Sequence, residues 1–319
     1  MKILVTGGAG FIGSNLTEAL LNDERIALVR VLDNLATGHL SNLEEFRSSS
    51  KFEFLQGDIR NFDDCNLACE GMDAISHQAA LGSVPRSISD PLTSHNVNVN
   101  GFINILEAAR TNGIRRIVYA SSSSVYGDLQ DSPKVETKVG KVLSPYAATK
   151  MSNELYAEAY ARNYNMTLLG LRYFNVFGPK QDPDGPYAAV IPLFIKAAFN
   201  NQSPLINGDG SITRDFTPVN NVVQINISGL TMPLDNCRHE VVNIACGNTT
   251  NLNELWLMIK GITGTITTAT HGPNRIGDIF YSLADIIKAK QLLGYTIETD
   301  INEGLRETVK WFLENREEK

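Results

Sequence analysis

Short apolar runs alternate with segments of helical periodicity through the first half of the chain. Ile3–Thr6, Ala27–Leu32, Phe52–Gln56, Ala74–His77, Ile117–Ala120 and Leu168–Arg172 read as strands. Between them, Ile12–Leu21, Val97–Thr111 and Pro145–Asn163 repeat apolar residues every three or four positions and predict helices. This alternation predicts an α/β fold, a doubly wound parallel sheet with helices on both faces. Ligands of such sheets gather beyond the C-terminal strand ends.

After about residue 175 proline and glycine become frequent, as in Gly178-Pro179, Gly208-Asp209-Gly210 and Gly272-Pro273. Helices are predicted at Val190–Asn200, Asn221–Thr231, Asn253–Gly261, Leu283–Leu293 and Glu303–Glu314, separated by longer loops. Residues 1–175 are expected to form the sheet domain, with segments near 213–245 returning to it, and residues 176–319 a smaller α/β C-terminal lobe. No repeat or low-complexity linker separates the two, so they should pack together.

Composition narrows the chemistry. A chain of 319 residues, 43% hydrophobic and 20% charged, can bury a large core. Its net charge of −7 gives nucleic acid and membrane surfaces no reason to bind. No apolar run approaches the roughly 20 residues of a membrane span, and the first apolar stretch is too short for a signal peptide. Cys65, Cys69, Cys237 and Cys246 form no CxxC, and His39, His77, His95, His239 and His271 have no metal-ligand spacing. A cytoplasmic protein without metal is expected.

Gly7-Gly8-Ala9-Gly10-Phe11-Ile12-Gly13 follows the first strand and opens a helix. Glycines at positions 7, 10 and 13 let backbone approach a pyrophosphate, and the helix start offers free N–H groups to it. Asp33 ends the second strand twenty residues after Gly13, where a carboxylate would accept ribose hydroxyls and repel a 2′-phosphate. This Rossmann signature points to NAD rather than NADP. Asp58 ends the third strand and Gln78-Ala79-Ala80-Leu81-Gly82 the fourth, at the same edge.

Tyr146 and Lys150 share one face of a predicted helix, and Ser121–Ser124 close the fifth strand. An ammonium beside a phenol favours phenolate, as would the positive nicotinamide ring of NAD, so Tyr146 is expected to carry a lowered pKa and to act as a base. A strand-end hydroxyl can bind the oxygen that it deprotonates.

With these three features in this order, the chain resembles the extended short-chain dehydrogenases/reductases over essentially its whole length. Within them it is similar to the nucleotide-sugar 4-epimerases, above all to the bacterial UDP-N-acetylglucosamine 4-epimerases of surface-polysaccharide synthesis. Gln78–Ser87, Leu143–Ala147, Leu171–Gly178 and Tyr187–Pro192 carry the likeness. The resemblance implies a catalytic triad of Ser122, Tyr146 and Lys150. It implies an NAD site lined by Phe11, Ile12, Asp33, Asn34, Thr37, Gly38, Asp58, Ile59, Gln78, Ala80, Asn98, Tyr146, Lys150 and Phe174. Ser83, Ser123, Asn175, Ala189, Val190 and Asn207 are implied on the UDP-sugar side, with Arg214 and Arg275 gripping the diphosphate and Asp278 the ribose. Ser282 falls where a tyrosine in some relatives shuts out N-acetyl groups. A homodimer through the helices at 97–111 and 145–163 is implied as well.

Relatives that dehydrate or decarboxylate carry carboxylates where this chain has Ser123 and Ser124, which leaves inversion at carbon 4 as the expected reaction. An epimerase for UDP-N-acetyl-hexuronic acids, a 4,6-dehydratase or decarboxylase, and a non-catalytic NAD-binding regulator remain as alternatives.

Overall fold

The computed structural model describes residues 1–184, 188–233, 238–273 and 281–315. Seven strands form the central sheet: β1 (Lys2–Thr6), β2 (Leu28–Asp33), β3 (Phe52–Gln56), β4 (Ala74–His77), β5 (Arg116–Ser122), β6 (Thr167–Tyr173) and β7 (His239–Ile244). Their order is β7-β6-β5-β4-β1-β2-β3, and every pairing is parallel. The fold is the Rossmann-like α/β class that the alternation predicts. Strand order reverses between β1 and β4, so connections leave in opposite directions there and open a crevice at the strand ends.

The α-helices of eight or more residues are α1 (Phe11–Leu21), α2 (Phe62–Cys69), α3 (Gly101–Thr111), α4 (Pro145–Tyr164), α5 (Val190–Phe199), α6 (Val219–Thr231), α7 (Leu252–Thr263) and α8 (Ile301–Glu314). Side chains alternate across the sheet, so each strand feeds two cores. Ile3, Val5, Val29 and Val31 pack with Leu16 and Leu20 of α1 and Val222 and Ile225 of α6. Leu4, Ile75, Ile117 and Leu168 pack with Phe102 and Ile105 of α3 and Ala157 and Ala161 of α4. Where both faces are covered, as in β1 and β6, the strands are mostly apolar, each fully buried aliphatic side chain contributing roughly 1.5–3 kcal/mol.

A third core joins Phe194 and Ile195 of α5, Leu255, Trp256 and Ile259 of α7, and Leu305, Val309 and Phe312 of α8. Above it, Thr213–Arg214 lies between Thr250–Asn251 and Tyr281–Ser282, and Leu205–Asn207 pairs with Thr270–Gly272.

Two local expectations change. The helix predicted over Leu283–Leu293 starts only at Ile287, because Lys134 pulls the preceding residues into a bridge. Lys134 N donates to Leu283 O (2.8 Å) and its own carbonyl accepts from Asp285 N (2.9 Å). The helix predicted from Val97 begins with a π-wound turn over Asn96–Asn100. Among the described residues no helix is long and apolar enough to cross a membrane, and no group of three His, Cys, Asp or Glu could hold a metal.

Candidate active site

The crevice at the β1/β4 reversal is a cleft of about 530 Å³. Gly7 makes its floor with φ +70°, a left-handed turn that glycine adopts at no steric cost. A Cβ at Gly7 would sit 2.7 Å from Ala79 Cα, and one at Gly13 only 2.1 Å from Gly7 O, so the turn touches both β4's exit and α1's first residues. Gly10 precedes α1 and offers no side chain to cap it. The first N–H groups of α1 therefore remain available to an anion.

Asp33 ends β2 at the cleft wall, where its carboxylate accepts from Ala9 N (2.9 Å) and Leu35 N (2.8 Å). Burial pushes its carboxyl up, and these two N–H donors oppose that. Asn34 reaches across to Asp58 (2.8 Å), whose carboxyl the Arg60 guanidinium pulls down to about 2. Phe11, Ile12, Thr37, Gly38, Ile59, Gln78 and Ala80 line the same cleft. Among the described lining residues Lys150 is the one cation and it stands at the other end, so the lining beside Asp33 offers a 2′-phosphate no positive side chain.

At the other end stand Ser121, Ser122, Ser123, Tyr146, Lys150 and Asn175. β5 carries Ser122 past the sheet edge. Ser144 caps α4 by accepting from Ala147 N (3.1 Å), and Pro145 fills the first helical position, where its missing N–H is no loss. Tyr146 is thus delivered on the first turn, with its N–H donated to Ser87 Oγ (3.0 Å). One turn later Lys150 is buried, its ammonium 5.9 Å from the Tyr146 ring centre and donating to Ala120 O (2.8 Å).

Burial pushes the Tyr146 phenol up, while a hydrogen bond with Ser122 pulls it back. Lys150 alone therefore does not lower the phenol as its spacing suggests, and its ammonium donates to the Ala120 carbonyl instead. Burial also brings Lys150 down to about 8, against the nearby Glu154 charge.

The glycine turn, the strand-end serine and the buried Tyr-Lys pair on one cleft agree with the family model for the NAD dependent epimerase/dehydratase family, which matches residues 3–245. The chain belongs to this family. A putative UDP-glucose 4-epimerase of Methanocaldococcus jannaschii is 40% identical over 98% of this chain and 99% of its own. A UDP-glucose 4-epimerase of Mycolicibacterium smegmatis is 37% identical over 98% of each. The solved UDP-N-acetylglucosamine 4-epimerase of Methanobrevibacter ruminantium, in complex with UDP-N-acetylmuramic acid, superposes with TM-score 0.92 at 36% identity, covering 98% of both chains. This member of the epimerase/dehydratase family is an NAD-dependent enzyme.

Some residues marked in the sequence stand off the cleft of this family member. Asn98 is buried behind it, accepting from Leu81 N (2.8 Å) and donating to Thr149 Oγ1 (3.1 Å), so it braces the wall without lining it. Phe174 is fully buried against Tyr126. Ser83 caps the short helix Val84–Ser89. Ala189 is exposed at the start of α5, with Val190 following it, and Asn207 ends its strand beside Gly272. Arg214 and Ser282 are register partners on neighbouring strands. Arg275 and Asp278 lie outside the described residues.

Sequence reasoning missed the supporting roles of Ser87 and Asp215, and of the contacts that Gln78, expected at the NAD site, makes beneath it. Ser87 gives no signal beyond standing before α4 in space. Gln78 donates to Ser76 and Asn226 and accepts from Tyr173, a polar floor that only the strand register brings together. The buried Asp215 accepts from Cys246 N, Gly247 N and Ala284 N at 2.9–3.3 Å and thereby ties the exit of β7 to the Ser282 strand.

A larger hollow of about 1400 Å³ opens beside α1, between Asn15, Glu18 and Trp311. Lys180 is paired there with Glu18 and Glu45, and neither the strand ends nor the Tyr-Lys pair reach it. The smaller cleft holds the chemistry.

Proposed function

We propose that this enzyme interconverts UDP-N-acetylglucosamine and UDP-N-acetylgalactosamine by oxidation at carbon 4 and return of the hydride to the opposite face. One observation carries this reading. Among the described residues lining the cleft, the carboxylates are Asp33 and Asp58, both at the adenosine end, and none stands beside Tyr146. A phenol flanked by hydroxyls can take a proton and give it back, but it provides no carboxylate for elimination at the neighbouring carbons. Inversion needs no more.

In the proposed cycle Ser122 Oγ holds the sugar 4-hydroxyl and Tyr146 accepts its proton as the hydride leaves carbon 4. NAD, held by Gly7, Gly10, Gly13 and Asp33, supplies the hydride acceptor and its positive ring when bound. That charge favours the phenolate, offsetting the burial that holds the phenol up. Lys150, anchored to Ala120 O, keeps an ammonium beside the phenol's helix turn. The 4-keto sugar turns about its diphosphate, the hydride returns to the other face, and Tyr146 restores the proton.

The choice of an N-acetylated sugar rests on Ser282, whose small side chain beside Arg214 would leave room where a tyrosine would not. Arg214 and Arg275 are assigned to the diphosphate, because a guanidinium fork fits its oxygens. A homodimer is part of the reading: Leu155, Tyr156 and Tyr164 of α4 are exposed apolar side chains that a second copy would cover.

The test is incubation of the purified enzyme with UDP-N-acetylglucosamine, UDP-glucose and their uronic acids, followed by separation of the C4 epimers. Fastest inversion of the acetylated hexosamine supports the assignment. Fastest inversion of a uronic acid, or release of carbon dioxide or a 6-deoxy sugar, contradicts it.

A further inference from the structure

Behind the catalytic end of the cleft lies a buried charge that the reaction scheme does not use. Glu154 sits one helical turn after Lys150 on the same face of α4 and is 7% exposed. Its Oε1 accepts from Ser121 Oγ (2.6 Å) and Arg172 Nε (2.9 Å), and its Oε2 from Arg172 Nη2 (2.8 Å). Ser121 directly precedes Ser122, and Ala120, which anchors the lysine, precedes Ser121. One carboxylate thus meets α4, β5 and β6 at the point where Ser122 and Lys150 leave them.

A structural ion pair alone would not require this placement. Burying a pair this deeply carries a desolvation cost that apolar side chains would avoid. From the other elements, Tyr119 (β5) and His239 (β7) also face Glu154, and His77 (β4) faces Lys150. Tyr126 and the Glu136 carbonyl face Arg172. Burial holds Tyr119 in its neutral form and brings His77 down to about 3, and it lowers His239 as well. Around neutral pH the charges beside the Lys150 ammonium are therefore Glu154 and its partner Arg172.

We infer that Glu154 is a positioning residue of the catalytic centre: it keeps the buried Lys150 charged and, through Ser121, holds the strand end that presents Ser122. Its link to catalysis rests on the epimerase reading above, but its effect on the lysine does not. Arg172 pairs with the carboxylate and fixes it in place, and Glu154 in turn supplies the negative field that a buried ammonium lacks.

The test is a titration of Lys150 in the NAD-loaded enzyme, following isotope-labelled lysine Cε signals by NMR, with Lys150→Met for assignment. Glu154→Gln is compared with the charge-balanced Glu154→Gln/Arg172→Gln, which leaves no unpaired arginine. The Lys150 midpoint should fall by about one pH unit in Glu154→Gln, a tenfold weaker hold on the proton, and by less in the double variant, which also loses the arginine's positive charge. Glu154→Asp, which keeps the charge, should return most of it. An unchanged midpoint in either folded neutral variant overturns the inference, as does failure of both neutral variants to fold, which would make the role structural only. The titration uses no substrate, so its failure is separate from failure of the epimerase reading. In turnover assays Ser121→Ala should lower kcat severalfold with KM within about twofold.

Discussion

The N–H of Tyr146 donates to Ser87 Oγ across 3.0 Å, so a residue from a separate short helix sets the angle at which the catalytic phenol enters the cleft. Ser87 is fully buried, and its hydroxyl in turn donates to Val84 O (2.7 Å). Ser87→Ala would leave the Tyr146 N–H unpaired. Unfolding stability should drop by ~1–3 kcal/mol, and kcat should fall more than KM rises. A thermal melt and steady-state kinetics check both, and unchanged kcat would show that α4 aims the phenol unaided.

Tyr146→Phe removes the proton acceptor while leaving the ring in place. Turnover should fall by ~10²–10⁴, with the NAD content of the purified protein unchanged. Cofactor released on denaturation, measured against protein, separates the two effects. Near-normal turnover would remove Tyr146 from its role.

Lys150 gives the pH dependence its sign. The competent enzyme carries a protonated lysine, and burial brings that lysine from its usual 10.5 to about 8. The alkaline limb of kcat should therefore fall near pH 8. Stability should respond in the opposite sense: the folded chain binds this proton more weakly than the unfolded one, so the penalty is full below about 8 and is relieved as pH rises toward 10.5. Lys150→Met should abolish that stability slope, as denaturant melts across the range would reveal.

A single methyl tests the cradle. In Gly13→Ala the new Cβ would lie 2.1 Å from Gly7 O, so α1 must draw back from the turn by roughly 1 Å or more. The variant should purify with little NAD and require added cofactor for turnover. Full retention of tightly held NAD would mean that α1 does not frame the pyrophosphate site.

Much of this was legible in the chain itself. The glycine turn, Asp33 and the Tyr146–Lys150 spacing are local patterns, and local geometry dictates them. Most of the sheet strands could be read because both of their faces are buried, which writes them as apolar runs, and the edge strand β3 because Phe52, Phe54 and Leu55 still mark it. β7 could not, since its first three residues are only half-buried and mix His239 and Glu240 with Val241. Helix 283–293 was overread because its start is claimed by Lys134, a contact 149 residues away in sequence. The spacing places Lys150 beside Tyr146, but only the fold shows the ammonium donating to Ala120 O. Ser87, Glu154 and Asp215 act through partners that no spacing rule connects.

Ser282 tests substrate choice. Ser282→Tyr should cut kcat/KM for the acetylated sugar by ~10-fold or more relative to UDP-glucose, since overfilling a fitted pocket costs on the order of 1–3 kcal/mol. An unchanged preference would place the acetamido group elsewhere.

The most direct measurement follows the hydride itself. UDP-N-acetylglucosamine carrying deuterium at carbon 4 is converted by the enzyme, and the product is examined by NMR and mass spectrometry. Oxidation and return within one closed cleft predict UDP-N-acetylgalactosamine that keeps the deuterium at carbon 4, with no net gain of NADH. Deuterium lost to solvent, a 6-deoxy product or accumulating NADH would contradict the account.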